Sequence, residues 1–111
     1  MWSPNLIPVY RKTGDPAGYL YKQGGRTYFL NLRGKCVGWL DGDKLFSIEG
    51  EMIGVRKECD GNVFFGKEPE TLLGRETRQR LRTFPTPITI SLTPQKVRKA
   101  NFHLEDALKD F

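Results

Sequence analysis

The chain has few of the residues that most often bind metals or act as catalytic bases. It contains one histidine, His103, and two cysteines, Cys36 and Cys59, which lie 23 positions apart. A lone histidine and two separated cysteines lack the paired spacing of a zinc site, so we expect no metal and no other cofactor. We also expect both thiols to be reduced, as is usual for cytoplasmic proteins.

Long apolar runs are absent too. No stretch approaches the roughly 18 apolar residues that a membrane-spanning helix needs. Residues 1–5 contain neither a basic region nor an apolar core, so we expect no secretory signal. With 111 residues, of which 38% are hydrophobic and 28% charged, the composition indicates a soluble cytoplasmic domain with a modest core.

The sequence also lacks a recognisable set of catalytic groups. Cys36 is expected on a strand as a small packed residue, and Cys59 has acidic Asp60 beside it, an unfavourable neighbour for a thiolate. No glycine-rich loop opens a helix, and the carboxylates flank turn glycines, where they favour turns. We therefore expect a protein that is not an enzyme.

An internal repeat dominates the first two thirds of the chain. Aromatic residues recur at even intervals of eighteen, and a glycine follows each of them at a spacing that alternates between eight and ten. Such a repeat predicts several copies of one structural unit. The aromatic–glycine pairs are Tyr10 and Gly18, Tyr28 and Gly38, Phe46 and Gly54, and Phe64 and Gly74.

Each copy has the pattern of a β-hairpin. Turn glycines stand at Gly14, Gly34 and Gly50, whereas the fourth copy has Pro69-Glu70 at this place. Residues 1–74 are thus predicted to form four hairpins in a four-fold arrangement, which makes a mostly β shallow barrel. The repeated glycines would let the strands approach a common axis. The residues that follow them could form a ring of large side chains there or line a ligand pocket: Tyr19, Trp39 and Val55.

Residues 75–111 have a different character. Residues 75–100 contain seven basic residues and one acidic residue, although the whole chain has a net charge of only +5. Arg75, Arg78 and Arg82 would share a face of a helix, and Arg78, Arg80 and Arg82 a face of a strand. Three converging guanidinium groups could bind phosphates, so these four arginines are the candidate binding site; the alternative is a solvated linker.

Two further elements are predicted beyond the arginines, both docked on the same domain. Residues 88–92 alternate apolar and polar side chains, as in a strand, and Thr93-Pro94 has the pattern of a helix start. The apolar residues that follow are spaced by three and four, which predicts an amphipathic helix that packs on the barrel or on a second copy of the chain. They are Val97, Ala100, Leu104, Leu108 and Phe111.

Over residues 7–74 the chain resembles the four-fold β-flower family. The similarity lies in short phrases such as those at residues 8–10, 34–40, 41–46 and 50–54. The resemblance implies a small bacterial protein with a shallow barrel of four petal-like hairpins, and it implies no established activity. The fold is similar to that of tubby-like barrels, some of which bind phosphoinositides, but likeness of fold is a weak guide to function.

Three functions remain open. We favour a non-enzymatic binding or scaffold module for a protein partner, with a homo-oligomer through the C-terminal helix as one form of it. The second hypothesis is binding to anionic lipid through residues 75–82, with Phe84, Ile88 and Ile90 as an apolar wedge. The third is binding to nucleic acid through the same arginines, although few aromatic residues lie between them.

Overall fold

The structure is a computed structural model that describes residues 6–67, 76–86, 88–90 and 93–108. Seven strands follow one another as an antiparallel meander, and the parallel pairing of Val9 with Val63 joins the first strand to the seventh and closes a barrel. These strands are β1 (Leu6–Tyr10), β2 (Pro16–Gln23), β3 (Arg26–Asn31), β4 (Cys36–Asp41), β5 (Lys44–Ser47), β6 (Met52–Cys59) and β7 (Asn62–Lys67). A short eighth strand, β8 (Glu105–Asp106), pairs with the end of β7. The described residues contain no helix, and the prediction of a mostly β barrel is confirmed.

Three hairpins contain the same irregularity. The pairings of β1 with β2, β3 with β4 and β5 with β6 each shift register by one residue, just before a strand glycine. The extra residue is Ala17, Val37 or Ile53. A bulge bends and twists its strand, so three bulges at equivalent places help to curl a short sheet into a barrel.

The register corrects the predicted repeat. Tyr19, Trp39 and Val55 follow the three strand glycines, and they pair with Leu30, Phe46 and Gly66 respectively. Leu30 and Gly66 are therefore the structural equivalents of Phe46. Tyr28 and Phe64 precede these equivalents by two residues, so the prediction that the four aromatic residues occupy equivalent places is wrong. All four are nevertheless buried.

A ring of four apolar residues fills the inside of the barrel. Val9, Phe29, Leu45 and Phe65 are each fully buried in one cluster, one from the first strand of each repeat. The ring therefore occupies the axis, where the sequence left a ligand pocket as an alternative. The predicted ring of Tyr19, Trp39 and Val55 is not there: Tyr19 and Trp39 belong to a separate cluster on the outer face of the sheet.

The strand glycines lie where backbones approach closely, as predicted. Gly18 is paired with Val9, and directly opposite residues share a face of the sheet, so this glycine faces the interior. A Cβ atom at Gly38 would lie 2.5 Å from the carbonyl oxygen of Phe46, and one at Gly54 would lie 2.6 Å from that of Gly66. Gly74, the fourth predicted position, lies outside the described residues.

Beyond β7 the described part of the chain lies against the barrel, and we call residues 76–108 the strap. Leu81, Ile88 and Ile90 of the strap cover the outer cluster that contains Tyr28 and Trp39. Further along, Val97, Ala100 and Phe102 cover Tyr10 and Phe64. The outer aromatic residues of the sheet are thus buried by the strap, which gives this small domain a second apolar layer.

The predicted helix after Thr93 is absent from the described residues. The amide of Val97 donates a hydrogen bond to the carbonyl of Gly14, and the amide of Ala100 donates to that of Lys12. Since these amides are bound to a hairpin, they do not form the i to i−4 bonds of a helix. The predicted apolar side chains still contact the barrel: Ala100 and Leu108 are buried, and Val97 and Leu104 are half-buried. Phe111 lies outside the described residues.

The predicted strand at residues 88–92 is likewise not formed by residues 88–90, and residues 91–92 lie outside the described part. Ile88 and Ile90 are half-buried and Thr89 is exposed, so the alternation is real. The backbone, however, lies against a hairpin turn, where a Cβ atom at Gly34 would be 2.6 Å from the carbonyl oxygen of Ile88. A hairpin turn offers this segment no strand to pair with.

Candidate anion-binding rim

Three hairpin tips share one hydrogen-bond pattern. In tip 1 (residues 11–15), tip 2 (31–35) and tip 3 (47–51), the first amide donates to the carbonyl of the fifth residue. The fourth residue is a glycine with positive φ: 95° for Gly14, 87° for Gly34 and 94° for Gly50. In a closed antiparallel meander these alternate turns lie at one end of the barrel, and the intervening turns lie at the other.

The strap passes over the tips in reverse order. The amide of Arg78 donates to the carbonyl of Gly50 in tip 3, Ile88 lies against Gly34 in tip 2, and Val97 hydrogen-bonds to Gly14 in tip 1. Side chains at the turn glycines would collide with strap carbonyls, because a Cβ atom at Gly14 or Gly50 would overlap the carbonyl oxygen of Val97 or Arg78. The strap therefore contacts all three tips, although between tip 3 and tip 2 its Thr86 bonds to Gln23, beside a turn at the opposite end of the barrel.

Arg78, one of the four predicted anion-binding arginines, is engaged within the fold. Its Nε donates to Asp41 Oδ2 at 2.8 Å, an Nη atom lies 3.4 Å from Glu76 Oε2, and its guanidinium lies 4.6 Å from the ring centre of Phe46. The hydrogen bond to Asp41 is the main reason that the pKa of Arg78 is raised. Arg78 thus fastens the strap to the barrel and is not free for a ligand.

Glu76 belongs to the same ion network. Lys44 Nζ lies 2.5 Å from Glu76 Oε1, and this hydrogen bond is the main cause of the lowered pKa of Glu76. A stack of side chains continues the network across the sheet. The guanidinium of Arg26 lies 4.8 Å from the ring centre of Trp39, and the Trp39 and Phe46 rings are 5.4 Å apart. These contacts hold the start of the strap at a fixed place.

Arg80 and Arg82, two more of the four predicted arginines, lie further along the strap. Both side chains are exposed, and neither forms a hydrogen bond or an ion pair with another described residue. They flank Leu81, which is buried and whose amide donates to the carbonyl of Ile48. The backbone is neither helix nor strand here, so the two predicted shared faces do not exist; the buried Leu81 fixes both arginines instead. Arg75 lies outside the described residues.

Four further cations extend this surface, and we call the set of six the basic rim. Arg33 and Lys35 lie on tip 2, and Arg98 and Lys99 lie on the strap beside tip 1. Like Arg80 and Arg82, they are exposed and form no ion pair with a described residue. Sequence reasoning counted the charge of the strap but missed Arg33 and Lys35, because only the wrapped chain brings tip 2 beside it.

Acidic side chains compensate the rim only in part. Glu49 and Glu51 lie exposed on tip 3. Asp15 on tip 1 forms an ion pair with Lys96 at 3.5 Å and accepts a hydrogen bond from the Thr13 hydroxyl. The hydrogen bond from Thr13 is the main cause of the lowered pKa of Asp15. The turns at the opposite end instead have more acids than bases: Arg26 and Lys44 stand against Asp41, Asp43 and Asp60. Among the described residues, positive charge without an ion pair therefore accumulates at the strapped end of the barrel.

The described residues offer little for catalysis. Cys36 and Cys59 are free and half-buried, and burial raises the pKa of the Cys36 thiol, which disfavours a thiolate nucleophile. His103 is exposed on the strap. Among the residues that the structure describes, no group of three histidine, cysteine, aspartate or glutamate side chains is placed to hold a metal ion.

A comparison with protein families agrees with this architecture. The model of the 4-fold beta flower protein family matches residues 7–103, so the chain belongs to that family. The match covers most of the strap as well as the hairpins and extends beyond the resemblance at residues 7–74. No curated protein and no solved structure matches the chain at a significant level. Within the described residues, no helix has the length and apolar character that crossing a membrane requires.

Proposed function

We propose that this protein is a non-enzymatic binding module that recognises a polyanionic partner through the basic rim. The observation that supports the proposal most is the set of six exposed cations that have no ion-pair partner among the described residues and lie toward one end of the barrel. Other cations are paired, Arg56 with Glu58, Arg78 with Asp41 and Glu76, and Lys44 with Glu76, whereas Lys22 and Lys57, outside the rim, form no ion pair with a described residue. Cations left unpaired at one end attract a negatively charged partner.

The rim rests on a rigid base. The backbone of Arg80 and Arg82 is fixed by the buried Leu81, and Arg98 and Lys99 lie between the hydrogen bonds of Val97 and Ala100 to tip 1. A surface held in this way loses less conformational entropy on binding than a free basic tail would. The filled axis and the raised pKa of Cys36 support a binding role over catalysis.

A protein partner, which the sequence favoured, fits the described surface less well. Stable protein interfaces have an apolar centre with aromatic anchors. Among the described residues, only Ile7 and Phe84 are large hydrophobic side chains with an exposed surface. An electrostatic partner therefore agrees better with this surface, and an acidic protein becomes one arm of the test.

The test compares three polyanions at low ionic strength: polyglutamate, duplex DNA, and vesicles of equal parts phosphatidylcholine and phosphatidylserine. We expect at least one to bind, with an affinity that falls steeply as salt is added. Replacing all six rim cations with glutamine should weaken binding about ten-thousandfold, since six cations at about 1 kcal/mol each near an anionic surface sum to about 6 kcal/mol. Arg78 is left unchanged in this variant because it fastens the strap.

A matched control is the Lys22→Gln, Lys57→Gln double variant, which removes positive charge outside the rim. It should bind nearly as well as the unaltered protein. If none of the three polyanions binds, or if the control loses as much affinity per removed charge as the rim variant, the proposed function is wrong.

A further inference from the structure

We propose that the basic rim, together with Phe84, docks on a membrane surface that contains anionic lipids. This inference rests on the proposed function and narrows it to one partner. Phe84 follows Arg82 by two residues, and 51% of its surface is exposed. A large aromatic ring in water beside exposed cations provides the second of the two weak interactions that peripheral membrane binding requires.

The position of Phe84 is fixed from both sides. Before it, Leu81 is buried in the outer cluster. After it, the amide of Thr86 donates to Gln23 Oε1 at 2.9 Å, and Gln23 Nε2 donates to Thr86 Oγ1 at 3.1 Å. Gln23 ends β2 beside a turn at the opposite end of the barrel, so between these anchors the strap runs from tip 3 along the side of the barrel, with Phe84 close to Arg82. The sequence pattern predicts Ile88 and Ile90 as further parts of an apolar wedge, but both side chains pack against the outer cluster. Phe84 is therefore the residue that inserts into the membrane.

The same surface suits nucleic acid less well. Single-stranded nucleic acid binds on several aromatic rings on which successive bases stack. The aromatic residues of the sheet next to the rim are buried beneath the strap: Tyr28 is 6% exposed, Trp39 8% and Phe46 0%. Phe84, the one exposed phenylalanine, tyrosine or tryptophan ring in the described part of the chain, suits insertion among lipid headgroups better than the stacking of several bases.

The experiment is flotation with vesicles of equal parts phosphatidylcholine and phosphatidylserine, with vesicles of phosphatidylcholine alone as the uncharged reference. The Arg80→Gln, Arg82→Gln double variant should bind about thirtyfold more weakly, from about 1 kcal/mol for each cation. Phe84→Ser should weaken binding about tenfold, since it removes the inserted ring. Ile7→Ser is the control, because Ile7 is the other exposed large hydrophobic residue in the described part of the chain (43%) and lies on β1 outside the rim.

The outcomes separate this inference from the proposed function. If Phe84→Ser binds vesicles like the unaltered protein, insertion of Phe84 is refuted, while electrostatic binding at the rim stands. If duplex DNA or polyglutamate binds and anionic vesicles do not, the membrane inference is overturned and the proposed function survives. If vesicles without phosphatidylserine bind equally well, the role of the cations is refuted. If nothing binds, both proposals fail.

Discussion

Replacing a turn glycine should show how strongly the strap is seated on the hairpin tips. In Gly34→Ala, the new Cβ atom would lie 2.6 Å from the carbonyl oxygen of Ile88 and 3.3 Å from Cγ1 of Ile90. Backbone must therefore move by several tenths of an ångström or more. Gly34 also has a φ of 87°, which disfavours any side chain. The two costs must be separated to isolate the strap contact.

Gly61→Ala is the matched control. Gly61 lies in a turn at the other end of the barrel with a φ of 79°, and nothing lies within 4 Å of its potential Cβ atom. Both variants carry the left-handed cost of about 1–2 kcal/mol. Only Gly34→Ala adds overpacking, about 1–3 kcal/mol. Urea unfolding should therefore place Gly34→Ala below Gly61→Ala in stability by about 1–3 kcal/mol. Equal unfolding free energies for the two variants would refute the seating of the strap on tip 2.

Three further results are expected. Leu108→Ala should lower the free energy of unfolding by about 2–5 kcal/mol because Leu108 is fully buried in the inner cluster, whereas Ile7→Ala should change it little; similar losses would contradict this burial. Arg78→Gln should lower the urea midpoint more than Arg80→Gln does, because only Arg78 binds Asp41, and equal midpoints would show that its contacts do not fasten the strap. The pKa of Glu76 is lowered from its ordinary value of 4.5. The ionised carboxylate therefore stabilises the fold fully above pH 4.5, and this stabilisation is lost as the pH falls through the lower pKa of the folded state. Hydrogen exchange in the strap should follow this loss in the unaltered protein but not in Glu76→Gln.

The hairpins could be predicted from the sequence because their signals are local. Gly14, Gly34 and Gly50 mark the three tips, and a tight turn needs the positive φ that each of them adopts. It was harder to predict which residues of the four copies are structurally equivalent. The aromatic residues recur every eighteen residues, whereas the structural repeat alternates in length. A constant gap of eight before each strand glycine would have chosen Leu30 in place of Tyr28.

The strap could not be predicted in detail because its conformation depends on tertiary contacts. The spacing of Val97, Ala100 and Leu104 fits a helix as well as it fits a chain that passes over a hairpin tip. The carbonyls of Lys12 and Gly14 decide between these two conformations, because they accept hydrogen bonds from the strap amides. Both carbonyls are remote from the strap in the sequence. The composition of the candidate site was partly visible in Arg80 and Arg82, whereas Arg33 joined it only through the fold.

The reverse path of the strap has a consequence for the order of folding. Its contacts join residues ever further apart in the chain: 37 positions for Arg78 and Asp41, 63 for Thr86 and Gln23, and 97 for Leu108 and Arg11. Closing a longer loop costs more entropy, so the strap should attach progressively from its start to its end, after the hairpins that receive it. On the ribosome, the barrel strands emerge before the strap does, and until it docks the outer aromatic residues stay exposed to other chains. Early chain termination would therefore leave an aggregation-prone intermediate. Leu108, at the far end of the strap, would be among the last residues to reach its native position.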